Sequence, residues 1–390
     1  MAQYKNLNIK NLELCLCGSG KTFKSCCKGK IYSNKSIYEE DVLKNPNRIN
    51  HMLQQRMKST DFKVCLHPDK GSCKLPIKNA HTLQNNGVLS IISEDDHVMV
   101  TNLFNKIRKG FVTDRLSKND ATTFYGFCEY HDSVIFKEIE TTPYNGQIKQ
   151  NFLYAYRTCA QEYHKKIREV KSIQECFKDN PSLAFMDMFV ENYRNITASY
   201  SDIKEYIDIF NNSFINNKFD ILESYVFKFK EKYNFAVTTC FNPVYDLDGK
   251  QINNIYSKDK ERLKGVFLSA FPTNDSFYMV LSCLKEDYPI LMSYFNKITL
   301  LDEGKLKIFL NNVLPTFSEN IVLSPRLWDK WTNFSRKEYE RIVIGEIGEF
   351  DKLISGELPY GSIDEFVLGM QVKNGMNDML AIQKYNLFLI

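Results

Sequence analysis

The sequence predicts an α+β protein whose helical and strand-rich regions follow two cysteine-bearing segments. Three observations predict it. The first seven of the eleven cysteines fall in two groups before residue 129. From Asn151, apolar residues recur every three to four positions, as an amphipathic helix requires. From Phe235, short β-branched and aromatic runs bounded by turn residues take over, which marks strands. These shifts divide the 390 residues into a cysteine knuckle (1–30), a linker (31–59), a Cys/His domain (60–140), a helical region (141–233) and an antiparallel sheet with closing helices (234–390). A chain of this length has room for two or three domains and a sizeable core.

The first element is the densest. Cys15, Cys17, Cys26 and Cys27 lie within thirteen residues, as C-x-C, eight residues, then C-C. A stretch this short and rich in Gly and Lys cannot build an apolar core, and four thiolates around Zn²⁺ supply the missing order. Gly18-Ser19-Gly20-Lys21-Thr22 contains the tail of a phosphate-binding P-loop, but such a loop needs Gly where Cys15 stands, and no β-branched strand precedes it. A disulfide pair is disfavoured by the lysine-rich composition and the polar N-terminus, which carries no secretory signal. The segment resembles the SEC-C motif, C-P-C-G-S-G-K-K-Y-K-x-C-C or C-H. Leu16 replaces the proline, Thr22 a lysine and Phe23 the tyrosine, while all four ligand positions match. The resemblance implies a zinc-held knuckle that docks a partner, whether a protein or nucleic acid, and leaves the rest of the chain open.

Composition bounds the rest. Aromatic content is high, with 28 Phe and 22 Tyr, so the chain is globular. No run approaches 18 apolar residues, which predicts no membrane span and a cytoplasmic protein. Abundant Lys, Asn, Ile and Tyr suggests a bacterial source. Net charge is +4, but residues 1–60 carry eleven Lys or Arg against four Asp or Glu. That basic start suits phosphate or an acidic protein face, or simply a solvated surface.

The second group begins with Cys65 and continues through Cys73 to Cys128-Glu129-Tyr130-His131-Asp132. Cys128-x-x-His131 places two ligands on one knuckle or first helical turn. Cys65 and Cys73 flank a loop containing Pro68, Asp69, Gly71 and Ser72, a strong turn signal. Cys65, Cys73, Cys128 and His131 would close a second tetrahedral zinc site, with His67 an alternative to Cys73. The arrangement resembles a treble-clef finger, and specifically the HNH nucleases, over residues 60–140. That resemblance implies a strand carrying a catalytic His at His81, a loop containing Asn85 and Asn86, and a metal-binding residue at Asp132. Ala80 departs from it, standing where such enzymes carry an acidic residue or His. Glu140 lies two helical turns beyond Asp132, on the same face if the segment is helical. In such an enzyme His81 would be the general base, and Asp132 with Glu140 would serve a Mg²⁺ or Mn²⁺ ion. Equally, His81 could orient the finger and Asp132 could cap its helix.

Further along, Phe152, Tyr156, Cys159, Tyr163 and Ile167 predict a helix, with Cys159 and Cys176 as core thiols; Arg157 and His164 could reach a substrate phosphate, though solvated helix residues are the commoner case. A second helix is expected from Tyr200 to Glu231. Strands are expected at 235–241, 263–270 and 277–283, with turns at Asp246–Lys250 and Asn274-Asp275. Helices return after Glu286, and the apolar Tyr385–Ile390 end should be packed. The expected fold is thus α+β, with an N-terminal zinc knuckle, a treble-clef-like zinc domain, a helical region and a small antiparallel sheet. Two functions follow. One is an HNH-type metal-dependent nuclease acting on DNA or RNA, by analogy in anti-phage defence. The other is a non-catalytic zinc protein that binds nucleic acid or a protein partner through its SEC-C motif.

Overall fold

A computed structural model describes residues 7–31, 62–101, 112–185, 187–254, 261–344, 378–380 and 382–390. Apart from Ile31, the expected linker at 31–59 lies outside the described residues. The chain forms two compact units. One comprises Met1–Val64 with Glu162–Asp208, the other Cys65–Gln161 with Ile209–Ile390. Among the described residues, no helix is long and apolar enough to cross a membrane. The α+β expectation holds.

Among the described residues, the larger unit contains nine strands in two sheets. Strand β1 (Ile77–His81) pairs antiparallel with β4 (Thr123–Cys128) as a separate two-stranded sheet. Between them in sequence come β2 (His97–Thr101) and β3 (Thr113–Ser117). These join β5 (Leu222–Phe229), β6 (Phe235–Phe241), β7 (Val266–Pro272), β8 (Phe277–Leu284) and β9 (Ile321–Leu323) in a seven-stranded sheet of order β3-β2-β9-β6-β7-β8-β5. Every pairing in it is antiparallel.

Among the described residues, eight α-helices of five residues or more accompany the strands. They are α1 (Glu129–Ile135), α2 (Lys137–Thr141), α3 (Ile148–Asp179), α4 (Asp187–Ile215), α5 (Tyr288–Thr299), α6 (Glu303–Phe317), α7 (Pro325–Lys330) and α8 (Asn333–Ile344). The side chains of β6 and β7 explain how the large sheet is covered. Val237, Leu268 and Ala270 share one core with Leu291 and Phe295 of α5 and Phe309 and Val313 of α6. On the opposite face, Phe271 stacks on Tyr154 of α3 at 4.7 Å and Phe267 meets Phe210 of α4 at 5.3 Å. Because both faces are covered, β7 is buried at every position and reads as an unbroken run rather than an alternating one.

The second expected helix ends earlier than its periodicity suggested. Helix α4 stops at Ile215, where Asn217 takes a left-handed φ of +51° and the Lys218 amide donates back to the Ser213 carbonyl. Asn is one of the few residues that reach this conformation cheaply. Tyr225 and Phe229, four apart and so helix-like in spacing, lie on β5, which pairs with β8 from Leu222↔Leu284 to Phe229↔Phe277. The Asp246–Lys250 turn forms as expected. Asp246 Oδ1 accepts from the Asp248 and Lys250 amides, and Gly249 supplies φ +80°. The C-terminal end is packed through Tyr385, Leu387 and Phe388, which are buried, and Asn311 bonds the Tyr385 carbonyl and the Leu387 amide.

In the smaller unit, the 7–31 knuckle packs on the 162–208 segment. Phe23, Phe177, Ala184 and Val190 form one buried cluster with Cys15 and Cys27. Arg194 ties the two pieces through Glu13 Oε2 at 3.2 Å and the Asn8 carbonyl at 3.1 Å.

Candidate metal centres and a neighbouring polar cluster

The knuckle brings Cys15, Cys17, Cys26 and Cys27 together, with all four sulfurs within 4.8 Å of one another. A one-residue bridge, Leu14↔Thr22, closes the loop between the two pairs. Gly18 and Gly20 both take φ +73°, which turns the chain sharply enough to aim both Cys15 and Cys17 inward. Cys17 and Cys26 sulfurs lie 3.5 Å apart, and those of Cys26 and Cys27 3.8 Å. A tetrahedron with Zn–S bonds of about 2.3 Å has edges of about 3.8 Å. A disulfide would need about 2.05 Å, and none of these four cysteines is in one. The spacing suits a metal.

The second group also forms as expected. Cys65, Cys73, Cys128 and His131 bring their ligand atoms within 4.8 Å of one another. His131 Nδ1 lies 3.3 Å from Cys65 Sγ, 3.6 Å from Cys73 Sγ and 3.2 Å from Cys128 Sγ. Mixed N/S edges of a zinc tetrahedron are about 3.6 Å. Three elements position these groups. Cys65 and Cys73 flank a loop in which Asp69 Oδ1 accepts from the Gly71 amide at 3.0 Å. Cys128 ends β4, where it pairs with Ile77 of β1, and its sulfur caps α1 by accepting from the His131 amide. A loop, the two-stranded β1–β4 sheet and a helix opening with C-x-x-H therefore surround one point.

His67 does not join them. Its Nδ1 accepts from the Asp69 amide, and its ring stacks on His131 with centroids 3.9 Å apart. Sequence reasoning missed what holds His131. Its Nε2 lies 3.0 Å from Ser72 Oγ, and that hydroxyl donates to Asp69 Oδ2 at 2.6 Å. With its proton spent on the carboxylate, the Ser72 oxygen can only accept from Nε2–H, which leaves the Nδ1 lone pair facing the three sulfurs. Burial, then the charge of His67, pushes the His131 pKa below its ordinary value, which keeps the ring neutral as a ligand must be. The donor set, spacing and tautomer all fit Zn²⁺.

Among the described residues these two groups are the ones in which three or more Cys, His, Asp or Glu ligand atoms converge within 4.8 Å. His81, Asp132 and Glu140 do not form a third. They form a looser polar cluster beside the Cys3His group. His81 ends β1, and its Nε2–H donates to the Lys118 carbonyl at 3.3 Å, leaving Nδ1 as acceptor. Burial, then the charge of Arg157, lowers its pKa. Asn85 lies nearby through Asn119, whose Oδ1 accepts from Asn85 Nδ2.

Asp132 does not cap α1, since that place belongs to Cys128. The Phe136 amide donates to the Asp132 carbonyl and the Glu140 amide to the Phe136 carbonyl, so 132, 136 and 140 line one face across the junction of α1 and α2. Arg157, only 3% exposed, lies along that stripe. Its guanidinium carbon sits 4.2 Å from the Phe136 ring centroid, and Nη1 meets Glu140 Oε1 at 2.5 Å. Asp132 Oδ1 and Arg157 Nε are buried without a hydrogen-bond partner among the described residues. Burial raises the Asp132 pKa against the opposing pull of Arg157, while Glu140 adds to the rise. His164, expected near a substrate, is instead buried and donates to the Phe62 carbonyl at 2.6 Å. Cys159 is a core thiol as expected, and Cys176 is half-buried.

Comparison with known proteins agrees with the first centre. The family model of the SEC-C motif matches residues 13–28. Neither a curated protein nor a solved structure matches the chain.

Proposed function

We propose that the chain, with its SEC-C motif and two candidate zinc groups, is a zinc-organised phosphodiesterase that cleaves nucleic acid with a catalytic Mg²⁺ or Mn²⁺ ion. In this reading Zn²⁺ at Cys15, Cys17, Cys26 and Cys27 and at Cys65, Cys73, Cys128 and His131 is structural. The observation that carries it is the orphaned Asp132 Oδ1. A buried carboxylate oxygen without a partner is costly, and a native structure that keeps one needs a reason. Arg157 also faces Glu140, so Asp132 shares that cation with a second carboxylate and keeps one buried oxygen unpaired among the described residues. A divalent cation would satisfy it.

The chemistry then divides among this chain's residues. His81 Nδ1 takes the proton of the attacking water. Asp132 holds the cation, which stabilises charge on the leaving oxygen when bound. The zinc-held β1–β4 sheet and helix fix β1 against α1, so His81 and Asp132 keep their relation. Two groups of cysteines arranged for metal rather than for disulfides suit a reducing, cytoplasmic setting. Incubation of the zinc-loaded protein with DNA and with RNA tests the proposal. Cleavage should need added Mg²⁺ or Mn²⁺ and should be lost in Asp132→Asn.

One observation favours a second role for the knuckle. Leu12 and Leu14 are 82% and 68% exposed, and Lys10, Lys21 and Lys24 are exposed with them. Apolar side chains ringed by cations suit docking to an acidic protein face or to nucleic acid. That role would deliver the enzyme to its target, or would be the whole function were cleavage absent.

A further inference from the structure

Arg157 carries the strongest unexplained feature of the larger unit. A guanidinium presents five donors in a planar fork. Here one atom, Nη1, lies 2.5 Å from Glu140 Oε1, the face rests on Phe136, and Nε and Nη1 are buried without a hydrogen-bond partner among the described residues. Structural arginines at this depth normally have their donors satisfied, because an unpaired buried donor loses its water without gaining a partner. Glu140 differs from its partner in exposure. Its side chain is 37% exposed while that of Arg157 is 3% exposed, so Glu140 is the solvent-side member of the pair.

We propose that Arg157 is the anchor for a substrate phosphate and that Glu140 holds its fork in the free protein, to be displaced when the phosphate arrives. The proposal rests on the phosphodiesterase reading and deepens it by assigning a substrate-binding residue. Three relations support it. A carboxylate and a phosphate offer the same bidentate acceptor geometry to an arginine, so the site that fits one fits the other. Asp132 lies on the same stripe as Glu140, and the charge of Arg157 acts on it, so an anchor at Arg157 and a cation at Asp132 belong to one polar cluster. Phe136 under the guanidinium keeps the fork oriented once Glu140 leaves. The exchange makes and breaks no covalent bond; a phosphate takes the place of one carboxylate, which turns to water.

The test is binding rather than cleavage. The probe is a fluorescently labelled single-stranded oligonucleotide, followed by anisotropy with the zinc-loaded full chain, Ca²⁺ replacing Mg²⁺. Glu140→Gln removes the competitor and should tighten binding by about tenfold, the scale of one charge-assisted hydrogen-bonded contact. Glu138→Gln is the control for charge alone, since Glu138 makes a comparable ion pair with Lys149 at 2.8 Å in the same helix. It should tighten binding far less. Arg157→Lys keeps the charge but loses the fork and should weaken binding by about tenfold or more at unchanged zinc content. Equal effects of the two Glu→Gln changes, wild-type affinity in Arg157→Lys, or no binding by either wild type or Glu140→Gln would each overturn the assignment. If the variants behave as expected and the wild type still cleaves nothing with Mg²⁺, the anchor stands and the phosphodiesterase reading fails.

Discussion

His131 donates from Nε2 to Ser72 Oγ at 3.0 Å, across 59 positions of sequence. The contact links the helix-borne ligand to the loop between Cys65 and Cys73, so the two halves of the candidate zinc group hold each other before any metal enters. Asp69 completes the chain by accepting from Ser72, whose hydroxyl holds the Asp69 carboxyl below its usual pKa.

The first prediction follows from that chain. Ser72→Ala removes the group that orients the imidazole and should weaken zinc binding by about 10- to 100-fold, the usual cost of losing an outer-shell partner. Competition with a chromogenic chelator measures it. Cys128→Ala removes a ligand and the cap of α1 together, and should lower stability by several kcal/mol. Ser72→Ala binding zinc as tightly as wild type would show that the hydrogen bond positions nothing.

A second prediction concerns the knuckle. Cys26→Ser with Cys27→Ser should reduce the zinc content from two ions per chain to one. The loss should stay within the smaller unit, where Phe23 meets Phe177 at 6.3 Å. Near-ultraviolet circular dichroism of the two tryptophans, Trp328 and Trp331, reports on the larger unit and should not change. An unchanged zinc content would refute the assignment.

The third is a pH dependence. Asp246 is fully buried; burial alone would raise its carboxyl pKa, but Lys297 at 2.7 Å and the Lys250 and Asp248 amides outweigh that and lower it below 3.8. A depressed folded-state pKa gives stability that is present above the unfolded value and lost as pH falls through the folded one. Asp246→Asn should therefore destabilise the protein at pH 7, by about 1–3 kcal/mol for a charge-assisted bond. The difference should shrink as pH falls below 3.8. Denaturant unfolding of both proteins at several pH values decides it, and a constant difference would mean that the turn geometry, not the charge, matters.

These centres were legible in the sequence to different depths. Both cysteine groups were, because thiolate spacing is a local code and few other structures use it. The Asp132–Phe136–Glu140 stripe was also legible, since a four-residue period needs only helix geometry. What joins distant segments was not. Asn320, at the start of β9, donates to Thr82 Oγ1 and to Gln161 Oε1, so the residue after His81 and the residue four beyond Arg157 share one partner. Nothing around Asn320 signals this. Likewise β2 and β3 leave the Cys/His region to extend the large sheet, a pairing fixed by register between residues as far apart in sequence as Met99 and Leu323. The Tyr225 and Phe229 spacing pointed to helix because period four and period two coincide at every fourth residue.

The last prediction concerns chemistry. Burial and the nearby Arg157 charge lower the His81 pKa below 6.5, so its ring stays unprotonated to a lower pH than an exposed histidine. If it is the general base, the acid limb of the cleavage profile should lie below pH 6.5, and His81→Ala should reduce the rate by about 10²–10⁴-fold. Zinc content should not change, since His81 bonds the Lys118 carbonyl and is not among the eight converging ligands. Cys128→Ala should by contrast lose activity, zinc and stability together. The decisive comparison is these two variants side by side, with metal content and thermal unfolding measured on the samples used for kinetics. Release of zinc by His81→Ala would make it a structural ligand. A fully active His81→Ala would move the proton acceptor elsewhere, and a wild type inert toward DNA and RNA with either cation would leave the docking role of the knuckle as the function.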